Sequence, residues 1–411
     1  MTTRQDCLER DRTDPLSHLR DRYHVPDGMI YLDGNSLGLM PKAAVARVQH
    51  AVAQEWGNDL ITSWNKNGWF HLPRVIGNKI ARLIGAGESN VIVADTISVN
   101  VFKVLSSALA LRPNRKVILS DSGNFPSDLY VAQGLAGYMQ LGHTVKLVSP
   151  EDIIRSITTD VAVVMITEID YRTARRHDMK AITAAAHVKG ALVIWDLAHS
   201  AGAVPVDLLA DNADFAVGCT YKYLNGGPGA PAFLFVHPRL QNEAVPALVG
   251  WWGHADPFAF DTQFVPAPGI IRQQCGTQAI LNLQALDAAL DQWADVDMGH
   301  AKKKTDSLCA LFIEQVETLG QGYGLQLAGP RDFAERGAHV SFHCPHGYAV
   351  MQALIARKVI GDFRSPDIIR FGFSACYNTH VEVFDAAAHL GDILANRLWD
   401  QPHFRDRKAV T

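Results

Sequence analysis

Trp195-Asp196-Leu197-Ala198-His199-Ser200 closes an apolar run, Ala191 to Trp195, with a carboxylate. A second run, Phe215 to Gly218, leads into Thr220-Tyr221-Lys222-Tyr223 and ends on a hydroxyl, a phenol and an amine. Two neighbouring strands that finish this way place Asp196, His199 and Lys222 together at one sheet edge. A carboxylate able to hold a protonated pyridine nitrogen and a lysine able to form an imine are the two requirements of pyridoxal phosphate chemistry.

Outward from this stretch, apolar runs of strand length alternate with helical patterns. The candidate strands are Ser89 to Ala94, Lys116 to Ser120, Thr144 to Val148, Val161 to Ile166, Ala191 to Trp195, Phe215 to Gly218 and Ala232 to Phe235. Between them, Leu129 to Met139 and Met179 to His187 read as amphipathic helices. This alternation predicts an α/β fold with a mostly parallel sheet covered on both faces. Ligands in such sheets bind at the carboxyl ends of the strands, where Asp196 and Lys222 fall. Trp251 to Gly276 reads as an irregular connection, and Thr277 to about Leu319 as one long helical region. The tail changes texture: strand His339 to Phe342, helix Ala349 to Arg357, strand Ile368 to Phe373 and helix Val381 to Leu398 make a smaller α/β domain. A chain of 411 residues suits two domains.

Composition narrows the function classes. A hydrophobic fraction of 48% with net charge -4 fits a soluble globular protein and argues against a nucleic-acid surface. Lys302-Lys303-Lys304 reads as a wet helix face. No run is long and apolar enough to cross a membrane, and the polar start of the chain has no apolar leader segment. Six scattered cysteines show neither metal-ligand spacing nor disulfide density, so reduced thiols in the cytoplasm are the expectation. No metal site is legible, and His339, His343 and His346 read as strand and loop residues.

Each candidate site residue has a plainer reading beside its chemical one. Lys222 alone could be a surface lysine at a strand end. The glycine-rich Gly226-Gly227-Pro228-Gly229 behind it, which lets backbone pass close to a ligand, and Asp196 ahead of it favour chemistry. Asp196 ends an apolar strand, where an unpaired carboxylate costs several kcal/mol, so it needs a partner; a ring nitrogen, an arginine or a helix N-terminus would each serve. His199 can stack or hydrogen-bond near the same ring, or be an ordinary loop histidine. Asp95-Thr96-Ile97-Ser98 opens a helix after a strand, which is a phosphate site or a plain N-cap. Phe125-Pro126-Ser127-Asp128 offers an aromatic face with hydrogen-bonding groups beside it, or simple core packing. Arg370, inside an apolar strand, suits an amino-acid carboxylate or a structural salt bridge. Trp251, Trp252, His254 and Cys275-Gly276-Thr277 are candidates for the pocket mouth.

At these residues the chain resembles the kynureninases, fold-type I pyridoxal phosphate enzymes of the class V aminotransferase group. The resemblance runs from Tyr31-Leu32-Asp33-Gly34-Asn35-Ser36-Leu37-Gly38 to the Arg370 strand. Its most specific parts are Trp195-Asp196-Leu197-Ala198-His199-Ser200 and Thr220-Tyr221-Lys222-Tyr223-Leu224-Asn225-Gly226-Gly227-Pro228-Gly229. It implies a large seven-stranded, mostly parallel cofactor domain over 46–300, a small α/β domain over 301–411, and an N-terminal segment, 1–45, that contributes to the small domain. It implies that Lys222 forms the imine, Asp196 pairs with the ring nitrogen and Phe125 stacks on the ring. Pro126, Ser127, Asp128, Thr167 and His199 would surround it. Thr96, Ile97, Ser98 and Tyr221 would hold the phosphate, with Trp251 and Thr277 reaching across from the second subunit of a homodimer. Family members commonly carry a hydroxylated residue at the Ile97 position, and some carry Asn at that of Thr277, which bears on phosphate binding rather than the chemistry. Arg370 would clamp the substrate α-carboxylate. The implied reaction is hydrolysis of L-kynurenine to anthranilate and L-alanine in tryptophan breakdown, with Tyr221 and Asp128 among the catalytic groups. Use of 3-hydroxykynurenine, giving 3-hydroxyanthranilate, depends on pocket contacts to one ring hydroxyl. A cysteine desulfurase, using Cys275 or Cys344, and a transaminase share this fold and are the alternatives. A binding protein without cofactor is the rival from another class, and it leaves the charges at Asp196 and Arg370 unexplained.

Overall fold

A computed structural model describes residues 2–407; the two outer limits expected for the domains, residues 1 and 411, lie outside them. Seven strands form the large sheet: β1 (Val91–Val93), β2 (Val117–Asp121), β3 (Thr144–Val148), β4 (Val161–Thr167), β5 (Leu192–Asp196), β6 (Phe215–Gly218) and β7 (Phe233–Val236). Every strand expected from sequence for this sheet is present, Thr144–Val148 and Phe215–Gly218 with the expected ends and the other five with shifted ones. Their spatial order is β1-β7-β6-β5-β4-β2-β3. β7 runs antiparallel to both neighbours, and the remaining pairs are parallel. The carboxyl ends of β1, β2, β4, β5 and β6 therefore share one edge.

Alternate residues along each central strand feed two cores. Val193 and Trp195 of β5 join Phe233, Phe235, Leu283 and Trp293 on one face. Leu192 and Ile194 join Phe215, Val217, Leu105 and Ile270 on the other. This period of two, with apolar residues at every position, is what strands buried on both faces require.

The second sheet is antiparallel: β8 (Gln326–Leu327), β9 (His339–His343), β10 (Asp362–Arg364) and β11 (Ile368–Gly372), in the order β10-β11-β9-β8. Phe312, Phe342, Phe371 and Leu390 centre its core, which also takes in Cys7 and Leu32. Leu16, Leu19, Tyr23 and Leu39 pack into the large core instead, so the N-terminal segment ties the two together.

Two sequence expectations are corrected. The region from Thr277 is not one helix but two, Ile280–Asp291 and Met298–Leu319. Asp297 restarts the second by accepting from the His300 N–H at 2.8 Å, the usual N-cap bond. Nor is Lys302-Lys303-Lys304 uniformly wet. Lys304 is buried and pairs with Asp14 at 2.6 Å, and Lys302 donates to the Phe333 carbonyl at 2.8 Å. Only Lys303 is exposed.

Candidate active site

Asp196 is the last residue of β5, beside Thr167 at the end of β4. Its Oδ1 accepts the Ala198 N–H at 2.7 Å. The side chain is buried, yet among the described residues it forms no ion pair. The Asp128 carboxyl meets it from the helix Pro126–Met139. Two buried carboxyls in contact cannot both be charged. Burial first, then the Asp196 charge, pushes Asp128 well above the usual carboxylate range. Burial also raises Asp196, but the Lys222 amine, the Ala198 N–H and Asp128's own proton oppose that rise. Burial and the Asp196 charge thus act to keep a proton on Asp128, while the contacts of Asp196 act to keep it charged. Asp128 Oδ2 has no hydrogen-bond partner. Thr167 gives its hydroxyl hydrogen to backbone, with Ile169 O at 3.2 Å and Asp196 O at 3.4 Å.

Lys222 stands in a closed loop after β6. The Gly226 N–H bonds Thr220 O at 2.9 Å, and the Asn225 N–H bonds Lys222 O at 3.0 Å. Asn225, at φ +58°, also ties the loop to Leu39 O through Nδ2 at 3.0 Å; asparagine tolerates that left-handed conformation better than most residues. The opening motif packs directly beneath. Gly38 donates to Tyr221 O at 2.8 Å, and a Cβ at Gly38 would lie only 2.3 Å from Lys222 O. The Lys222 Nζ lies 3.4 Å from His199 Nε2 and 5.9 Å from the centre of the Phe125 ring. Burial, aided by the Lys222 and Arg370 charges, holds the His199 pKa well below its ordinary value. A neutral imidazole thus faces the amine. Burial likewise raises the Tyr221 phenol, which stays protonated.

Phe125 caps its helix and keeps a ring 37% exposed, with Pro126 first in the helix and Ser127 half-buried behind it. Tyr171 meets that ring edge-on at 5.2 Å. Thr96 caps the helix Ile97–Ala110, accepting from the Val99 N–H, at the β1 end of the same edge. Behind it, buried Lys103 is held by Asp95 and by the Gln273 carbonyl at 2.7 Å. Trp251 and Thr277 are exposed on this chain. Trp251 leads an aromatic run with Trp252, Phe258 and Phe260.

Arg370 projects from β11. Asp362, its cross-strand partner on β10, takes both Nε, at 2.8 Å, and Nη2. Nη2 also donates to Ser36 Oγ at 3.0 Å, and Nη1 to Tyr171 O at 2.5 Å. Tyr171 thus links the Phe125 ring to Arg370. Neither Asp362 nor Tyr171 stood out in the sequence; the cross-strand register that pairs Asp362 with Arg370 leaves no local signal. A buried pair between Asp121 and His177 (2.6 Å) was also missed. It steadies the loop before Phe125, since Asp121 Oδ1 accepts the Gly123 N–H at 2.7 Å.

These groups fit pyridoxal phosphate. A buried carboxylate that forms no ion pair among the described residues lies near the Lys222 amine, which also approaches a half-open aromatic ring and a neutral histidine. A planar, cationic ring carrying an aldehyde satisfies all of them.

The kynureninase C-terminal domain family model matches residues 301–390. The kynureninase of Pseudomonas fluorescens is 52% identical over 416 aligned positions, and that of Burkholderia mallei (strain SAVP1) 49%, each covering 100% of both chains. The fold resembles a cysteine desulfurase from Thermococcus onnurineus NA1 (TM-score 0.78, 19% identity, 92% of this chain and 98% of that one). It also resembles a mutant of C-DES with glycine covalently linked to the PLP cofactor (TM-score 0.77, 18% identity, 91% and 99%).

Proposed function

The chain belongs to the kynureninase family, and from that membership we propose how its residues divide the work of hydrolysing L-kynurenine. The protein is a pyridoxal-phosphate-dependent hydrolase that cleaves the Cβ–Cγ bond, giving anthranilate and L-alanine. The observation that carries the site reading is Asp196, a buried carboxylate that forms no ion pair among the described residues and lies near the Lys222 amine.

Asp196 would hold the cofactor ring nitrogen, steadied by the protonated Asp128. Phe125 would lie against the ring, and His199, Thr167, Pro126 and Ser127 would surround it. The free N–H groups at Ile97 and Ser98, with the Thr96 and Tyr221 hydroxyls, receive the phosphate. Bound pyridoxal phosphate would supply an aldehyde for the substrate amine and a protonated ring as an electron sink. Arg370 would grip the α-carboxylate. The Lys222 amine would take the α-proton, and His199, a weak base because burial lowers its pKa, would not compete for it. Water adds at the γ-carbonyl, and the Tyr221 phenol, kept protonated by burial, moves protons at the γ-oxygen and at Cβ. Tyr221→Phe lowers kcat by about 10²-fold or more; full turnover in that variant ends the Tyr221 role.

The homodimer reading is supported by exposed apolar surface. Trp251 is 41% and Phe260 82% exposed, and an open groove of about 580 Å³ is lined by Leu37, Met40, Val45 and Pro228. In that reading Trp251 and Thr277 complete the phosphate site of a second copy. Six free cysteines support a cytoplasmic setting; among the described residues no helix is long and apolar enough to cross a membrane. A desulfurase role for Cys344 is disfavoured, because burial pushes its thiol up to about 12 and keeps it protonated.

The deciding experiment is an absorbance spectrum of purified protein before and after L-kynurenine, with anthranilate fluorescence followed together. A cofactor band that changes as anthranilate appears supports the reading. A band without anthranilate, or no band after added pyridoxal phosphate, overturns it.

A further inference from the structure

Arg370 cannot hold a carboxylate alone. A guanidinium has five N–H donors, and four are engaged: Nε and one Nη2 hydrogen by Asp362, the other Nη2 hydrogen by Ser36, and one Nη1 hydrogen by Tyr171 O. Five less four leaves one donor for a group with two oxygens. A neighbour on the same face can supply the second donor.

Directly opposite residues of an antiparallel pair share a face. β9 places Ser341 opposite Arg370 and His339 opposite Gly372. Gly372 has no side chain, and the Asn35 amide takes that space: a Cβ there would lie 1.8 Å from Asn35 Oδ1. His339 therefore stands diagonal to Arg370, at the roughly 7–8 Å Cα spacing across which long side chains reach each other. It is fully buried, yet neither ring nitrogen has a hydrogen-bond partner. Its ring lies 5.7 Å from that of His199, which contacts the Lys222 amine. Buried polar groups are rarely left unpaired unless a ligand or water completes them.

We propose that His339 donates a hydrogen bond to the second oxygen of the substrate α-carboxylate, completing a site that Arg370 half-fills. This rests on the kynureninase reading above. Burial, with the positive charges of Arg370, Arg336 and Lys222 around it, keeps the imidazole neutral despite Asp362. It therefore offers one N–H donor and one acceptor nitrogen. The donor serves the carboxylate, and the acceptor remains for the substrate amine or a water.

The test measures KM for L-kynurenine and the inhibition constant of its α-carboxamide, whose carboxylate charge is removed, in the wild-type holoenzyme and in His339→Leu, His339→Gln and Ser341→Ala. The ratio of the two constants does not depend on the folded fraction. In His339→Leu the preference for the carboxylate falls about tenfold or more, the size of a hydrogen bond to a charged group, while cofactor affinity stays within about threefold. His339→Gln, which keeps a donor, retains most of the preference, and Ser341→Ala leaves it unchanged. An unchanged ratio in His339→Leu overturns the proposal, as does a fall confined to Ser341→Ala. A wild-type enzyme that releases no anthranilate refutes the family reaction instead, so the two failures are distinct.

Discussion

Lys222→Ala turns over L-kynurenine at least about 10³-fold more slowly than wild type and loses the visible band of covalently held cofactor. Among the described residues no other amine is placed to stand in. The buried lysine at this sheet edge, Lys103, is fixed by Asp95 and the Gln273 carbonyl. Lys222 lies 5.9 Å from the Phe125 ring centre and 3.4 Å from His199. In the proposed division of work it serves twice, as the covalent anchor and as the base at the α-carbon, so its removal is expected to affect both binding and rate. Anthranilate fluorescence measures the rate, and the spectrum measures the anchor. Added small amines restore part of the proton transfer but not the anchored band. Full turnover in Lys222→Ala would place the chemistry elsewhere.

The large sheet was legible because its strands are buried on both faces and appear as unbroken apolar runs, as in Leu192–Asp196. The reversed direction of Phe233–Val236 was not, since an apolar run carries no sense of direction. The break between the two helices at 292–297 had a signal, an Asp that caps, but continuous apolar periodicity on either side masked it. Site residues beside strand ends were legible for the reason the fold is: Asp196 and Lys222 interrupt apolar runs. Partners recruited across strands were not. Arg370 was conspicuous as a charge in an apolar strand, yet its engagement by Asp362 depends on a cross-strand register that no local pattern encodes. His339 looked like a strand histidine, and only the folded face shows its two unpartnered nitrogens. Lys304 shows the same limit: its buried pair with Asp14 joins residues far apart in the chain.

Asp196→Asn and Asp128→Asn differ sharply although the two carboxyls touch. Asp196 carries the charge, and an amide in its place cannot hold a protonated ring nitrogen. Turnover falls by about 10²–10³-fold, the usual effect of removing one preorganised electrostatic group. Asp128 already carries the proton, and an amide N–H replaces its donor at nearly the same shape. Turnover in Asp128→Asn stays within about tenfold of wild type, the worth of one imperfect hydrogen bond. Equal losses in the two variants would mean that the proton is not held on Asp128. Stability gives an independent reading with a definite sign. Burial and the Asp196 charge raise the folded pKa of Asp128 above its ordinary 3.8. A carboxyl raised in this way contributes stability that is full below the unfolded pKa and declines as pH rises toward the folded one. Asp128→Asn has no such proton to lose. The urea midpoint of the cofactor-free wild type, taken relative to Asp128→Asn, therefore falls as pH rises above about 4. A midpoint difference that stays flat from about pH 4 to about pH 8 contradicts the protonated state assigned to Asp128.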